Sequence, residues 1–188
     1  MTHALVIGGT GMLKDVTLHL LKEFDKVSVI ARNESGFGNL KKEAREYSLR
    51  LKPLQVDYTD YEILKSLLIK SIKEFGEISL VVSWIHSTAP KALYIIADLM
   101  NQTSSKCELY EVLGSSYANP QYHSNNRNKD FEKFENINYH RIILGFVLED
   151  SKSRWLTNSE ISGGIIKVIE KTSASSIIGV VEPWSSRP

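Results

Sequence analysis

The chain has 188 residues, of which 42% are apolar and 24% charged, a size and composition typical of one soluble globular domain. Its formal net charge of +1 gives no reason to expect a nucleic-acid or membrane-surface partner. The single cysteine, Cys107, excludes an internal disulfide and favours a reducing compartment. The first apolar run is too short for a signal peptide, and no stretch approaches the roughly 18 residues of a membrane span, so we expect a cytoplasmic protein.

The start of the chain shows the order strand, glycine-rich turn, helix, strand. Residues 4–7 form a continuous apolar run, which is typical of a strand buried on both faces. From Met12 to Phe24 apolar residues recur at helical spacing, and a second apolar run follows at 27–31. The whole stretch has the size, about 30 residues, of a β-α-β unit.

The same alternation continues along the rest of the chain. The remaining predicted strands are 54–56, 78–85, 108–113, 139–148 and 177–181. The remaining predicted helices are 40–49, 59–75, 88–100 and 157–171. The predicted irregular segments are a loop at 33–38, a polar loop at 117–136 with one helical turn at 131–134, and a loose tail at 183–188. We therefore predict that residues 1–188 form a single α/β domain, a Rossmann-type three-layer αβα fold with a mostly parallel, doubly wound sheet of about seven strands.

Local signals place some of these elements more closely. Pro53 cannot donate a hydrogen bond to a neighbouring strand, so the third strand is expected at an edge of the sheet. The spacing Thr-x-x-Glu at 59–62 and again at 157–160 predicts a capping box at the start of two helices. Gly76 is a typical helix stop.

The turn after the first strand carries the clearest functional signal, the run Gly8-Gly9-Thr10-Gly11-Met12-Leu13. Glycine permits a tight turn and lets the backbone approach a phosphate, and the following helix presents free N–H groups with a partial positive charge. The position between a buried strand and an amphipathic helix favours a dinucleotide pyrophosphate site over a plain turn without ligand. A third small residue is expected where this chain has Lys14 and Asp15, so either the helix stands off the sheet or Lys14 points toward the ligand.

The end of the second strand indicates which dinucleotide binds. NAD-binding proteins usually have a carboxylate there, whereas this chain has Arg32. A guanidinium can form two hydrogen bonds with a 2′-phosphate and stack on adenine, so we predict NADP, with NAD less favoured. The alternative is that Arg32 is a solvated surface residue. Asp57, after the third strand, either lies near the adenine or caps the following turn.

With this loop, Arg32 and Asp57, the chain resembles the short-chain dehydrogenase/reductase superfamily. The opening Val-Ile-Gly-Gly-Thr-Gly-Met-Leu is similar to those of its atypical and extended branches. The resemblance covers residues 3–116 and, more loosely, 139–181. It implies an NAD(P) site at the carboxyl ends of the strands, a small-molecule substrate and a homo-oligomer, either a dimer or a tetramer.

The resemblance also assigns roles to single residues. It implies that the wall beside the ribose and nicotinamide is the stretch Ser83-Trp84-Ile85, although a core or interface position is an alternative for Trp84. Ser115 or Ser116 stands where the family has its catalytic serine. The family's active site also needs a Tyr-x-x-x-Lys pair shortly after that serine. In this chain no tyrosine after Ser116 stands four residues before a lysine. The usual chemistry of the family is therefore in doubt.

Other residues are candidates for the missing proton donor. His86 follows the fourth strand, at the edge of the sheet where ligands bind, and histidine readily exchanges a proton near neutral pH. Ser115 or Tyr117 would complete a donor pair with it. The alternative is a histidine that only caps the next helix. The histidines are dispersed without ligand spacing, so we expect no metal site.

Two functions from different classes remain open. The first is an NADP-dependent oxidoreductase that acts on a small carbonyl or alcohol with a non-standard proton donor. The second is a non-catalytic NADP(H)-binding redox sensor or regulatory protein, which the missing Tyr/Lys pair favours. A methyltransferase that uses S-adenosylmethionine also has a glycine loop after its first strand, but it would need a carboxylate where Arg32 stands.

Overall fold

A computed structural model describes residues 1–119, 127–149 and 152–188. The strands in these residues are β1 (His3–Ile7), β2 (Lys26–Ala31), β3 (Leu51–Gln55), β4 (Leu80–Ser83), β5 (Cys107–Leu113), β6 (Ile137–Leu144), β7 (Phe146–Glu149), β8 (Lys152–Trp155) and β9 (Ser175–Ile178). The α-helices are α1 (Lys14–Glu23), α2 (Glu34–Ala44), α3 (Tyr61–Phe75), α4 (Ala92–Asn101), α5 (Arg127–Phe131) and α6 (Asn158–Lys171). Short 3₁₀ helices lie at Arg45–Arg50, Ser115–Ala118 and Trp184–Ser186.

Among the described residues, seven parallel strands form one sheet in the order β3-β2-β1-β4-β5-β6-β9. All five residues of β1 are buried, as the apolar run predicts for a strand covered on both faces. Helices α1, α2 and α6 pack on one face of the sheet, and α3, α4 and α5 pack on the other. The three-layer αβα fold with a parallel, doubly wound sheet is therefore confirmed.

The strand order reverses between β1 and β4. Strands β2 and β3 are added on one side of β1, and β4, β5, β6 and β9 are added on the other side. In open α/β sheets this reversal creates a crevice at the carboxyl ends of the strands, where ligands bind. β3 forms an edge of the sheet, as Pro53 predicts. The Thr157–Glu160 capping box at the start of α6 is confirmed.

Some predicted boundaries are wrong for local reasons. The predicted loop at 33–38 is the start of α2, because the side chain of Asn33 accepts the Ser35 amide at 2.9 Å and caps a helix that contains two glycines. The N-cap of α3 is Asp60 rather than Thr59, whose hydroxyl donates to Asp57 instead. Gly76 ends α3 with a φ of +91°, as predicted.

The prediction of a single strand at 139–148 is also wrong. β6 ends at Leu144, and Gly145 then passes so close to another strand end that a Cβ there would lie 2.1 Å from the carbonyl oxygen of Val180. After this crossing, β7 leaves the main sheet and pairs with β8 as an antiparallel hairpin. A tertiary contact therefore divides an apolar run that has the pattern of one strand.

The other two predicted irregular segments contain helical turns in the residues that the structure describes. Part of the polar loop at 117–136, residues 120–126, lies outside the described residues; the helical turn comes earlier than predicted, as α5. The loose tail predicted at 183–188 is wrong as well. It contains the turn Trp184–Ser186, and Arg187 is hydrogen bonded to Ser115.

Candidate functional site

The glycine loop joins β1 to α1 at the reversal of the strand order. Gly8 has a φ of +82°, a conformation that favours glycine, and its amide donates to the Ile30 carbonyl at 2.9 Å. The buried hydroxyl of Thr17 donates to the Gly9 carbonyl at 3.0 Å. These bonds tie the loop to β2 on one side and to α1 on the other, so its conformation is held independently of any ligand.

The loop packs closely on the sheet at Gly9 and is open at Gly11. A Cβ on Gly9 would lie 2.5 Å from the Thr17 hydroxyl and 2.9 Å from the side chains of Val6 and Val29, whereas a Cβ on Gly11 would meet nothing within 4 Å. A third glycine is expected to let the helix pack closely on the sheet. In this chain Gly9 allows that close packing instead. Lys14 does not reach toward a ligand, because its ammonium forms an ion pair with Glu43 at 2.8 Å.

The start of α1 has backbone amides without an acceptor; of the two residues that carry them, Met12 is partly exposed and Leu13 is fully buried. The amides of Gly11 and Lys14 donate within the loop, but those of Met12 and Leu13 have no acceptor in the part of the chain that the structure describes. Free amides at a helix N-terminus bind phosphate, because they supply hydrogen bonds where the helix dipole is positive. The arrangement fits a pyrophosphate above Gly11.

Arg32 and Asp57 lie side by side at the carboxyl ends of β2 and β3. The Arg32 guanidinium is largely exposed and lies 3.6 Å from the Asp57 carboxylate. Asp57 accepts the amide and the hydroxyl of Thr59, and these hydrogen bonds, more than Arg32, hold the pKa of Asp57 below its usual value. Asp57 therefore caps a turn, and Arg32 retains donors for a further anion.

A cleft of about 380 Å³ opens beyond the carboxyl ends of β4 and β5. Its lining residues are Trp84, Ile85, His86, Ser87, Val112, Leu113, Gly114, Ser116 and Tyr117. The structure thus brings His86 and Tyr117, two of the residues selected from the sequence, into one cavity. Ser83, by contrast, is fully buried and does not line it.

The exposed His86 is held from two sides. Its backbone amide donates to the Tyr58 hydroxyl at 3.4 Å, and its ring meets the Trp84 indole edge to face with 5.5 Å between centroids. The Trp84 amide donates to the Ile7 carbonyl at 3.2 Å and so fixes this segment against β1. The backbone carbonyl of His86 accepts the Ala89 amide at 3.1 Å, which closes the turn before α4.

Ser115 lies in a neighbouring pocket of about 260 Å³ rather than in the cleft of His86. The two cavities share Trp84, Gly114 and Ser116. Ser115 is buried, and its hydroxyl oxygen accepts a hydrogen bond from Nε of Arg187 at 2.8 Å. The expected grouping of His86 with Ser115 is therefore not observed, and Ser116 is the serine nearer to Tyr117.

Comparison with protein-family models found no match, and neither did comparison with curated protein sequences. Solved structures are similar. A variant of actinorhodin polyketide ketoreductase, solved with NADPH, is 12% identical, with 96% of each chain covered and a TM-score of 0.73. A short-chain type dehydrogenase/reductase from Mycobacterium marinum is 14% identical, with 97% of this chain and 95% of that chain covered and a TM-score of 0.76. A ketone-specific alcohol dehydrogenase from Comamonas testosteroni is 14% identical, with 98% and 90% covered and a TM-score of 0.68.

This chain has the short-chain dehydrogenase/reductase fold.

Within this fold, a buried polar cluster that sequence reasoning missed lies between β5 and β6. Glu111 is buried on β5, and both Nε and Nη2 of Arg127 from α5 donate to its carboxylate. The hydroxyl of Tyr139 on β6 donates to the same carboxylate. Burial and the neighbouring Glu111 charge raise the pKa of Tyr139, so this tyrosine keeps its proton and is not an acid near neutral pH. A glutamate inside the apolar run 107–113 is the signal that would have revealed the cluster.

Two further searches bear on the class of site. Among the described residues, no group of three or more histidine, cysteine, aspartate or glutamate side chains is arranged to hold a metal ion. No helix in the same residues is long and apolar enough to cross a membrane.

Proposed function

We propose that the chain binds NADP(H) and reduces a small carbonyl substrate, or oxidises the corresponding alcohol. The observation that carries this proposal is the amide of the partly exposed Met12, which has no acceptor among the described residues, beside the open face of Gly11 at the reversal of the strand order. Such a site favours a pyrophosphate. When bound, the nicotinamide supplies or accepts a hydride. The neighbouring stretch Trp84–Ile85 borders the cleft in which a substrate would meet it.

The 2′-phosphate of NADP would be held by Arg32. The guanidinium is exposed, and its ion pair with Asp57 is long, so it loses little when it turns to a phosphate. We expect Arg32→Asp to weaken NADPH binding by about 10- to 100-fold, because a charged hydrogen bond is replaced by repulsion. NADH binding should change much less.

The measurement is a titration of each coenzyme, followed by energy transfer from the tryptophans. Lys42→Asp makes the same change of charge on the exposed surface of α2 and should leave both affinities unchanged. An equal loss of NADPH and NADH affinity in Arg32→Asp would remove Arg32 from the phosphate site.

We propose His86 as the proton donor, with Tyr117 as a hydrogen-bonding partner of the substrate in the same cleft. Any reductase rate should fall by about 100-fold in His86→Ala, the usual contribution of a general acid. His86→Gln, which keeps a hydrogen-bonding side chain but cannot deliver a proton near neutral pH, should be equally slow. Recovery of the rate in His86→Gln would indicate a positioning role instead.

The second candidate is a non-catalytic NADP(H)-binding protein that acts as a redox sensor or regulator. The observation that favours it is the Tyr139 hydroxyl, which is committed to Glu111 and has a raised pKa, in a chain without a Tyr-x-x-x-Lys pair after Ser116. NADPH oxidation with a panel of aldehydes and ketones separates the two candidates. Tight NADPH binding with no hydride transfer to any of them would leave the sensor as the function.

A further inference from the structure

The pocket beside Ser115 contains a cation that the proposed NADP site does not use. Its walls come from the ends of β5 and β6, from the segment before α6 and from α6 itself, and Arg187 lies at its border. Leu144, Leu156 and Ile161 give it apolar sides. It shares Trp84, Gly114 and Ser116 with the cleft of His86, so the two cavities lie next to each other.

The Arg187 guanidinium is held in one orientation by three partners. Nε donates to the Ser115 hydroxyl at 2.8 Å. The guanidinium carbon lies 4.9 Å from the centre of the Trp155 ring and 5.4 Å from that of Trp184. Cation–π contacts hold a guanidinium without neutralising its charge. The group is therefore ordered before any ligand arrives, which lowers the entropy cost of binding.

The terminal nitrogens of Arg187 remain available. Within residues 1–119, 127–149 and 152–188, neither Nη1 nor Nη2 has an acceptor, and no carboxylate forms an ion pair with the group. Arg154, on β8 beside Trp155 of the same pocket, differs in this respect. Both of its terminal nitrogens donate to Glu160 at 2.9 Å. Of these two arginines, only Arg187 has both terminal nitrogens without an acceptor among the described residues.

We propose that Arg187 binds the carboxylate of the substrate, so that the chain acts on small oxo acids or hydroxy acids with a short apolar body. Two parallel N–H donors match a carboxylate, and this geometry distinguishes an acid from its ester. The pocket volume, about 260 Å³, is below the usual range for drug-sized ligands and suits a small acid. This inference rests on the proposed function, because it names the substrate class of the same site.

The test compares acids with their own neutral esters. The probes are 2-oxobutanoate, 4-oxopentanoate and 2-oxoglutarate with the corresponding methyl esters, titrated into the full chain by calorimetry with saturating NADP⁺. We expect at least one acid to bind about 10-fold or more tightly than its ester. Arg187→Gln should remove that preference, because glutamine offers neither a charge nor two parallel donors. Arg187→Lys keeps the charge but loses the two parallel N–H donors of the guanidinium. It should retain only part of the preference for the acid.

Arg154→Gln is the matched control and should keep the full preference for the acid, since Arg154 is already paired. The inference is overturned if no acid binds more tightly than its ester, or if the preference survives in Arg187→Gln. NADP⁺ affinity is measured in every variant. If the unaltered chain does not bind NADP⁺, the proposed function is refuted. If it binds NADP⁺ but shows no preference for acids over their esters, only the role of Arg187 is refuted.

Discussion

Gly11→Asp is expected to abolish NADPH binding while leaving the protein folded. A carboxylate at this position would enter the open space beside Gly11, where the pyrophosphate is proposed to lie. Its charge would repel the phosphates in the place where the helix dipole otherwise attracts them. A Cβ on Gly11 meets nothing within 4 Å, so the substitution adds no clash within the chain.

The measurement is energy transfer from the three tryptophans to bound NADPH, with a circular dichroism melt to verify folding. Gly38→Asp is the matched control, because Gly38 is exposed on α2 and also has open space around its Cβ position. It should bind NADPH as the unaltered chain does. Undiminished NADPH affinity in Gly11→Asp would mean that the pyrophosphate does not lie against this loop.

Arg127→Met is expected to lower the free energy of unfolding by about 3–5 kcal/mol, the usual cost of removing one partner from a buried ion pair. The side chain of Glu111 is only 6% exposed, and Arg127 is the cation with which it forms an ion pair among the described residues. Tyr139 would remain as a single neutral donor to it. Urea denaturation followed by tryptophan fluorescence measures the change.

Two controls separate this effect from the loss of an ordinary surface contact. Lys14→Met breaks the ion pair with Glu43, in which both side chains are more than a third exposed, and should cost no more than about 1 kcal/mol. The double variant Glu111→Gln with Arg127→Met has no unpaired buried charge and should be considerably more stable than Arg127→Met alone. If the single and double variants unfold at the same urea concentration, the unpaired charge is not the cause.

The fold and the glycine loop were predictable because their signals are local in the sequence. A buried strand, a glycine-rich turn and an amphipathic helix each depend on residues within one or two turns of one another. Glycine is the expected residue at Gly8, where the chain must bend sharply, and at Gly11, where a side chain would fill the space proposed for the pyrophosphate. The position of Pro53 in an edge strand follows from a missing amide, which is also a local property.

The arrangement of the candidate site was not predictable in the same way. Ser115 was expected beside His86, yet it lies in a separate pocket and contacts Arg187, which is 72 residues away in the sequence. The strand predicted at 139–148 is divided by the approach of Gly145 to Val180, which no local pattern reports. Local sequence signals predict whether a segment is a helix or a strand. These two features depend instead on tertiary contacts between elements that are distant in the sequence.

The sequence by itself determined that this protein is a doubly wound α/β domain with a glycine-rich turn after its first strand, since hydrophobic periodicity and glycine act through neighbouring residues. Only the tertiary structure decided which polar side chains are paired and which are free. It joined Glu111 to Arg127 and Tyr139, and among the described residues it placed Arg187 against Ser115, Trp155 and Trp184 with no carboxylate partner. The reason is physical: burial and electrostatic pairing depend on distances in space, and parallel strands bring together residues that the chain separates by a whole helix.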